Sequence, residues 1–255
     1  LANPVTVNNV LTLTKGHVKT TSANYLLLID GATLSGGSDS AYVHGPVRKT
    51  GNDAFVFPLG DTTLNDTAYH PLGMTAPLVV SDQFEASYFA LNYPVGDSLV
   101  DSLESVSQVE YWKLERLVGS SNVYVTLGWN YNSTNVEDIN TLRVCGWNGV
   151  KWLDYGGTSA TSSDRRGTIT STMTPGYSGT TAYLGLGTAV SPKVYAMLHR
   201  KLDGGYYLVT NGALYFMYDE EYNDVDDKLT FNIYDQQHNV QASGSGTYAI
   251  LRGSD

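Results

Sequence analysis

The densest group of chemistry-bearing side chains is an acidic run near the end of the sequence. Residues 219–227 hold six carboxylates and one amide. These groups repel one another unless water or a cation neutralises them, and Ca²⁺ takes about six to eight oxygen ligands. The run lacks the central glycine and the closing glutamate of an EF-hand loop, so a solvated acidic turn between two strands is the alternative. The candidate Ca²⁺ ligands are Asp219, Glu221, Asn223, Asp224 and Asp226.

Tryptophan rings form the second candidate site, since an aromatic ring offers a flat apolar surface for a sugar. The ligand-binding candidates are Trp147 and Trp152, which flank a segment that begins Asn148-Gly149. Asn-Gly between aromatic strands is a strong hairpin signal. In such a hairpin the two rings have an alternative role as a cross-strand pair, so glycan binding and pair packing both stay open.

No combination of residues in the sequence matches a catalytic pattern. The five histidines occur in unrelated segments without metal-ligand spacing, and neither a nucleophile elbow nor a phosphate-binding loop occurs. Each histidine is predicted to be a surface or turn residue. The five are His17, His44, His70, His199 and His238.

Carboxylates and the single cysteine are interpreted as structural. Glu85, Glu110 and Glu115 are the candidates for paired acids that hydrolyse glycosides. The polar outer face of a β-sandwich, however, places carboxylates on strands without such a role. Cys145 is predicted to be a small buried hydrophobe. The sequence therefore predicts no enzyme, no catalytic residue and no cofactor-binding residue.

Composition excludes some partners and favours one fold class. The 255 residues are 42% hydrophobic and 16% charged, with 19 tyrosines and a net charge of −10. The negative charge argues against binding to nucleic acid or to anionic membranes. No apolar run is long enough to span a membrane. Low charge with many β-branched and aromatic residues predicts an all-β protein.

The first 50 residues predict a short β-helix or a β-meander. Strand-like runs at 10–14, 24–29 and 40–44 recur about every 15 residues, separated by turns that contain glycine or asparagine. Parallel neighbours would form coils of a β-helix, whereas antiparallel neighbours would form a meander. A β-helix has an unpaired edge at each end, and an uncovered edge invites pairing with another chain.

Residues 51–190 predict a β-sandwich, and residues 191–255 predict a second β module. The first range contains about seven alternating strands separated by frequent turns; residues 97–106 are a loop or a short helix. Ser191-Pro192 is predicted to be a linker. The last range has four or five strands with an Asn211-Gly212 hairpin signal. So few strands predict that this module is incomplete at Asp255.

Several of these motifs together resemble modules of large secreted surface proteins of the Bacteroidota. The segments are 40–51 (SAYVHGPVRKTG), 55–60 (FVFPLG), 111–116 (YWKLER), 147–152 (WNGVKW) and 195–207 (YAMLHRKLDGGYY). The resemblance implies the last rungs of a β-helix followed by a sandwich and a second module. It also implies export, by the type IX route, and a role in adhesion, gliding or surface scaffolding. Some proteins of this group carry Rhs-type repeats.

The sequence thus predicts a non-catalytic extracellular module of the cell surface, structural or adhesive. Its expected partners are other surface proteins, neighbouring copies or adjacent domains of a longer chain, met through β edges and loops. One alternative is a carbohydrate-binding module of a secreted polysaccharide-active protein, which requires exposed aromatic rings. Another is a shell segment of a large Rhs-type toxin.

Overall fold

The computed structural model describes residues 1–64, 68–94, 98–161 and 166–190, together with five strands between 196 and 247. For residues 159–161 and for these last five strands it describes the backbone only. Every regular element among the described residues is a β-strand, which confirms the predicted all-β class. The chain divides into two compact units, Leu1–Ser191 and Pro192–Asp255.

The first unit begins as a β-helix with three strands in each coil. Parallel pairing stacks the coils on all three sides. The meander alternative is therefore wrong. Coil one holds β1 (Val5–Val7), β2 (Val10–Leu13) and β3 (Gly16–Lys19); coil two holds β4 (Leu26–Leu28), β5 (Thr33–Gly36) and β6 (Ala41–His44); β7 (Val47–Thr50) begins the third.

The coil length differs from the spacing of about 15 residues in the sequence pattern. Val5 pairs with Leu26 and Leu26 with Val47, so this side repeats from position 5 to 26 to 47, every 21 residues. The three runs at 10–14, 24–29 and 40–44 contain β2, β4 and β6, which lie on three different sides. In a three-sided coil each strand lies on a different side from the strand before it. Strands that recur at equal spacing along the sequence therefore need not stack on one another.

The third coil passes directly into the sandwich because β7 belongs to both. One edge of β7 pairs with β4 in parallel, and the other pairs antiparallel with a strand of the sandwich. The resulting nine-stranded sheet runs β1-β4-β7-β10-β12-β18-β14-β15, with β11 beside β18. The added strands are β10 (Gln83–Phe89), β11 (Leu103–Val106), β12 (Tyr111–Val118), β14 (Leu142–Trp147), β15 (Trp152–Asp154) and β18 (Thr181–Ala189).

A five-stranded antiparallel sheet forms the second layer, in the order β16-β17-β13-β9-β8. Alternate residues of both sheets, such as Phe84, Trp112, Leu127 and Ile169, are fully buried in a core that continues into the β-helix. Two packed sheets around one core form the predicted sandwich. The strands of this sheet are β8 (Phe55–Phe57), β9 (Leu72–Met74), β13 (Val125–Trp129), β16 (Thr158–Thr161) and β17 (Gly167–Thr170).

The second unit contains one antiparallel sheet of five consecutive strands. Thr210 of β20 stands opposite Ala213 of β21, which confirms the hairpin predicted from the Asn-Gly pair between them. The strands are β19 (Ala196–Arg200), β20 (Tyr206–Thr210), β21 (Ala213–Asn223), β22 (Lys228–Tyr234) and β23 (Val240–Thr247).

Candidate interaction surfaces

The two candidate glycan-binding rings face each other across the hairpin of β14 and β15. Trp147 pairs with Trp152, and their ring centroids lie 5.8 Å apart in an edge-to-face arrangement. The predicted cross-strand pair is therefore confirmed. The rings are only 8% and 3% exposed, within a small cluster that includes Tyr93. Rings buried to this extent offer no free face for a sugar.

The other two tryptophans, Trp112 and Trp129, are also buried, at 0% and 5% exposure. The connection between the paired Trp147 and Trp152 has four residues, 148–151, and within it the Asn148 side chain accepts hydrogen bonds from the amides of Val150 (2.9 Å) and Lys151 (2.8 Å).

The acidic run enters the end of the long strand β21. Asp219, Glu221 and Asn223 lie within that strand, and Asn223 stands opposite Lys228. Asp224 and Asp226 are outside the described residues, so the Ca²⁺ site stays a prediction. Within the part of the chain whose side chains are described, no three His, Cys, Asp or Glu residues come together in a way that could hold a metal ion.

A buried polar network joins the two sheets, and the sequence patterns do not predict it. His70 precedes β9 and Glu110 precedes β12, yet His70 Nδ1 lies 3.0 Å from Glu110 Oε2 and both side chains are at most 1% exposed. The prediction that His70 is a surface or turn residue is therefore wrong. Burial and the nearby Glu110 raise the pKa of Tyr88 well above its ordinary value, and its hydroxyl donates to Oε2 at 3.0 Å. The network has no exposed side that a substrate could reach.

Glu85 and Glu115 lie directly opposite each other on β10 and β12. Each has its own cation: Arg48 Nε lies 2.7 Å from Glu85 Oε2, and Lys113 donates to Glu115. Like charges on neighbouring strands are unfavourable unless they are compensated. The arrangement is a row of ion pairs along a sheet.

The outer end of the β-helix leaves a row of backbone groups without a strand partner. Among the described residues β1, β2 and β3 pair only with β4, β5 and β6. The amide of Val5 donates to Tyr25 at 2.9 Å, Thr33 donates to the carbonyl of Asn9 at 2.8 Å, and Gly16 donates to Ser40 at 2.7 Å.

In a parallel strand, consecutive residues direct their N–H and C=O groups to opposite edges. The groups that point away from coil two therefore belong to Thr6, Val10, Thr12, His17 and Lys19. The carbonyl of Lys19 accepts a bond from the amino group of Leu1. We call this surface, formed by the free edges of β1, β2 and β3, the open edge.

The apolar interior of coil one is also only partly covered. Val7 and Val18 are half-buried, whereas the residues stacked on them in coil two, Leu28 and Val43, are 0% exposed. The open edge therefore combines unpaired backbone groups with an apolar end surface, which is the combination that a further β-coil would cover.

Comparison with protein-family models, with curated proteins and with solved structures produced no match to this chain. Among the described residues there is no helix with the length and apolar character needed to cross a membrane.

Proposed function

We propose that this chain is a non-catalytic module of the cell surface, structural or adhesive, that makes its contacts through β edges and loops. The open edge of coil one carries the proposal. Its partner is a β-coil of a neighbouring copy, of another surface protein or of an adjacent domain of a longer chain.

The strands of the open edge lack most features that protect edges from pairing. Natural sheets block such edges with charged residues, proline or bulges. β1 and β2, with sequences VTV and VLTL, contain none of these, and β3 contains one lysine, Lys19. An edge of this kind favours addition of another strand, and the half-buried Val7 and Val18 would gain apolar contacts from it.

The titratable groups support a structural role over catalysis. The His70–Glu110 pair is enclosed in the core, and the opposed Glu85 and Glu115 are each neutralised by a cation. The net charge of −10 also favours protein partners over nucleic acid or an anionic membrane.

An edge-proline variant, Thr6→Pro with Thr12→Pro, tests the proposal. Both substitutions remove an N–H that points away from coil two, and proline is tolerated at the free edge of a sheet. We expect the wild-type chain to assemble between about 10 µM and about 1 mM, the range of weak protein contacts. At each concentration the edge-proline variant should have a lower mean mass than the wild-type chain, while its thermal midpoint changes little. Size-exclusion chromatography with light scattering and thermal unfolding measure the two quantities.

Thr33→Pro is the matched control. The amide of Thr33 donates to Asn9 inside the β-helix, so its loss leaves that carbonyl without its partner and should destabilise the fold by about 2 kcal/mol. Assemblies of equal mean mass for the wild-type and edge-proline chains would contradict contact between copies through the open edge. A wild-type chain that stays monomeric throughout the concentration range would exclude a neighbouring copy as the partner. Repeating the measurement with Ca²⁺ and with a chelator shows whether the acidic run at 219–227 takes part.

A further inference from the structure

The five-stranded sheet contains no charged residue in any of its strands. Their sequences are FVF, LGM, VTLGW, TSAT and GTIT. The nine-stranded sheet, in contrast, carries Arg48, Glu85 and Lys113 among its strand residues. One layer of the sandwich thus carries ion-paired charges in its strands, and the other lacks the charges that normally keep an outer face in water.

The outer face of the uncharged sheet holds an open apolar groove of about 330 Å³. Val56 of β8 forms one wall and is 49% exposed, and Thr126 and Thr168 form the other. At the floor, Gly73 lies between Val56 and Thr126, and the ring of Pro71 packs over Gly128. The groove is lined by Ala54, Phe55, Val56, Pro71, Gly73, Met74, Thr75, Thr126, Gly128 and Thr168.

Gly73 and Gly128 are explained by the lack of room for a side chain, since their backbone conformation does not require glycine. Neither has a positive φ, so their backbone suits any residue. A Cβ on Gly128 would lie 2.6 Å from Cγ of Pro71, and one on Gly73 would lie 3.2 Å from Cβ of Thr126. Glycine weakens a strand interior and often marks the close approach of another group.

An exposed aliphatic loop lies at the end of this groove. Leu78, Val79 and Val80 follow β9 and are 84%, 50% and 51% exposed. The amide of Leu78 donates to Ser121 Oγ at 2.9 Å, and the amide of Thr75 donates to the carbonyl of Tyr124 at 3.0 Å. These bonds hold the loop against the same end of the sheet as Thr75, a residue of the groove.

We propose that the uncharged face is an interface for a second copy of this chain, in which the Leu78–Val80 loop of each copy enters the groove of the other. The loop begins three residues after Thr75 of the groove, and a projection close to a groove supplies the self-complementarity that a twofold dimer requires. A charged partner would bury its charges against a face without counter-charges, which is costly. A second copy brings an equally uncharged surface despite the net charge of −10.

The size of the face predicts a weak dimer. Five strands of three to five residues, spaced by about 4.8 Å and about 13 Å long on average, cover roughly 300 Å². A standard interface buries about 800 Å² per partner. The loop must therefore supply much of the contact, and we expect dissociation at micromolar concentrations or above.

A face variant, Val56→Lys with Thr168→Lys, tests the interface by placing two charges on its exposed positions. Light scattering from about 10 µM to about 1 mM should show a concentration-dependent dimer for the edge-proline variant, whose β-helix contact is removed. Adding the face substitutions to that variant should leave monomer only. Val150→Lys, at a site that is 74% exposed in the turn at 148–151, is the matched control and should retain the dimer.

This experiment tests the open edge and the uncharged face independently of each other. The inference is overturned if the edge-proline chain is monomeric at every concentration, or if its dimer persists with both face lysines. Neither result bears on the proposed contact through the open edge. Assembly of the face variant through coil one, with no dimer from the edge-proline chain, would likewise overturn the inference while supporting the proposed function.

Discussion

At the scale of single residues, the hydrogen bonds of Asn130 decide which ring nitrogen of His70 faces Glu110 with a proton. Asn130 Oδ1 accepts from the amide of Asn132, and Asn130 Nδ2 donates to the carbonyl of Tyr69 at 3.2 Å. His70 Nε2, 3.0 Å from that Nδ2, must therefore accept. The proton of a neutral ring is then on Nδ1, which faces Glu110 at 3.0 Å. This network ties the ends of β9, β12 and β13 across the sandwich.

Glu110→Ala should destabilise the fold by about 3 kcal/mol, because it removes the acceptor of Tyr88 and leaves buried polar groups without a partner. The midpoint of urea unfolding measures the loss. Glu104→Ala, at an exposed position of β11, is the control and should change stability by less than about 0.5 kcal/mol. An equal effect of both substitutions would show that the network contributes nothing specific.

The carboxyl of Asp61 predicts how the free energy of unfolding depends on pH. Burial raises the pKa of its carboxyl, but bonds from the amide and hydroxyl of Thr63, the charge of His44 and the amide of Ala90 outweigh burial and lower it below the ordinary 3.8. A carboxyl whose pKa is lower in the folded state adds stability above its unfolded pKa. That stability is lost as the pH falls through the lower, folded-state value.

Wild type should therefore be more stable than Asp61→Asn at neutral pH, and the difference should shrink as the pH falls below about 4. Urea unfolding midpoints at several pH values measure the difference. Asp101→Asn, at an exposed position, controls for the loss of one negative charge. A difference between wild type and Asp61→Asn that is constant with pH would refute the assignment.

At the scale of elements, Lys49 fastens the β-helix to the start of the sandwich. Its side chain is 0% exposed, and Nζ donates to the carbonyls of Ile29 (2.9 Å) and Ala32 (3.2 Å) and to Asp53 Oδ2 (3.0 Å). The hydrogen bond from Lys49, together with the amide of Gly31, lowers the pKa of Asp53. All three N–H donors are satisfied, which is what allows an ammonium group to be buried.

Lys49→Met should cost about 3 kcal/mol, since it leaves the carbonyl of Ala32 and the carboxylate of Asp53 without the ammonium while keeping the side-chain length. Chemical unfolding measures this cost. Lys113→Met, in a half-exposed ion pair on β12, is the matched control and should cost less than about 1 kcal/mol. Equal losses would mean that burial of Lys49 has no energetic consequence.

At the scale of the whole first unit, one continuous sheet serves both the β-helix and the sandwich. Because β7 pairs with β4 on one side and with β10 on the other, the sandwich covers one end of the coil stack. The open edge lies at the opposite end. This arrangement suits the assembly through the open edge that we propose, and the uncharged face is the proposed second contact. The edge-proline and face variants separate these two contacts.

The sequence by itself determined the features that depend on a few neighbouring residues. Alternating β-branched and aromatic residues predict strands, and Asn148-Gly149 and Asn211-Gly212 predict hairpins, because turn chemistry and side-chain alternation are local. The tertiary structure alone decided which strands stack, that His70 meets Glu110 from 40 positions away, and that Trp147 and Trp152 are buried in a second cluster apart from the main core. These outcomes depend on long-range strand pairing, where the free energy of burying the whole core selects among registers that are locally equivalent.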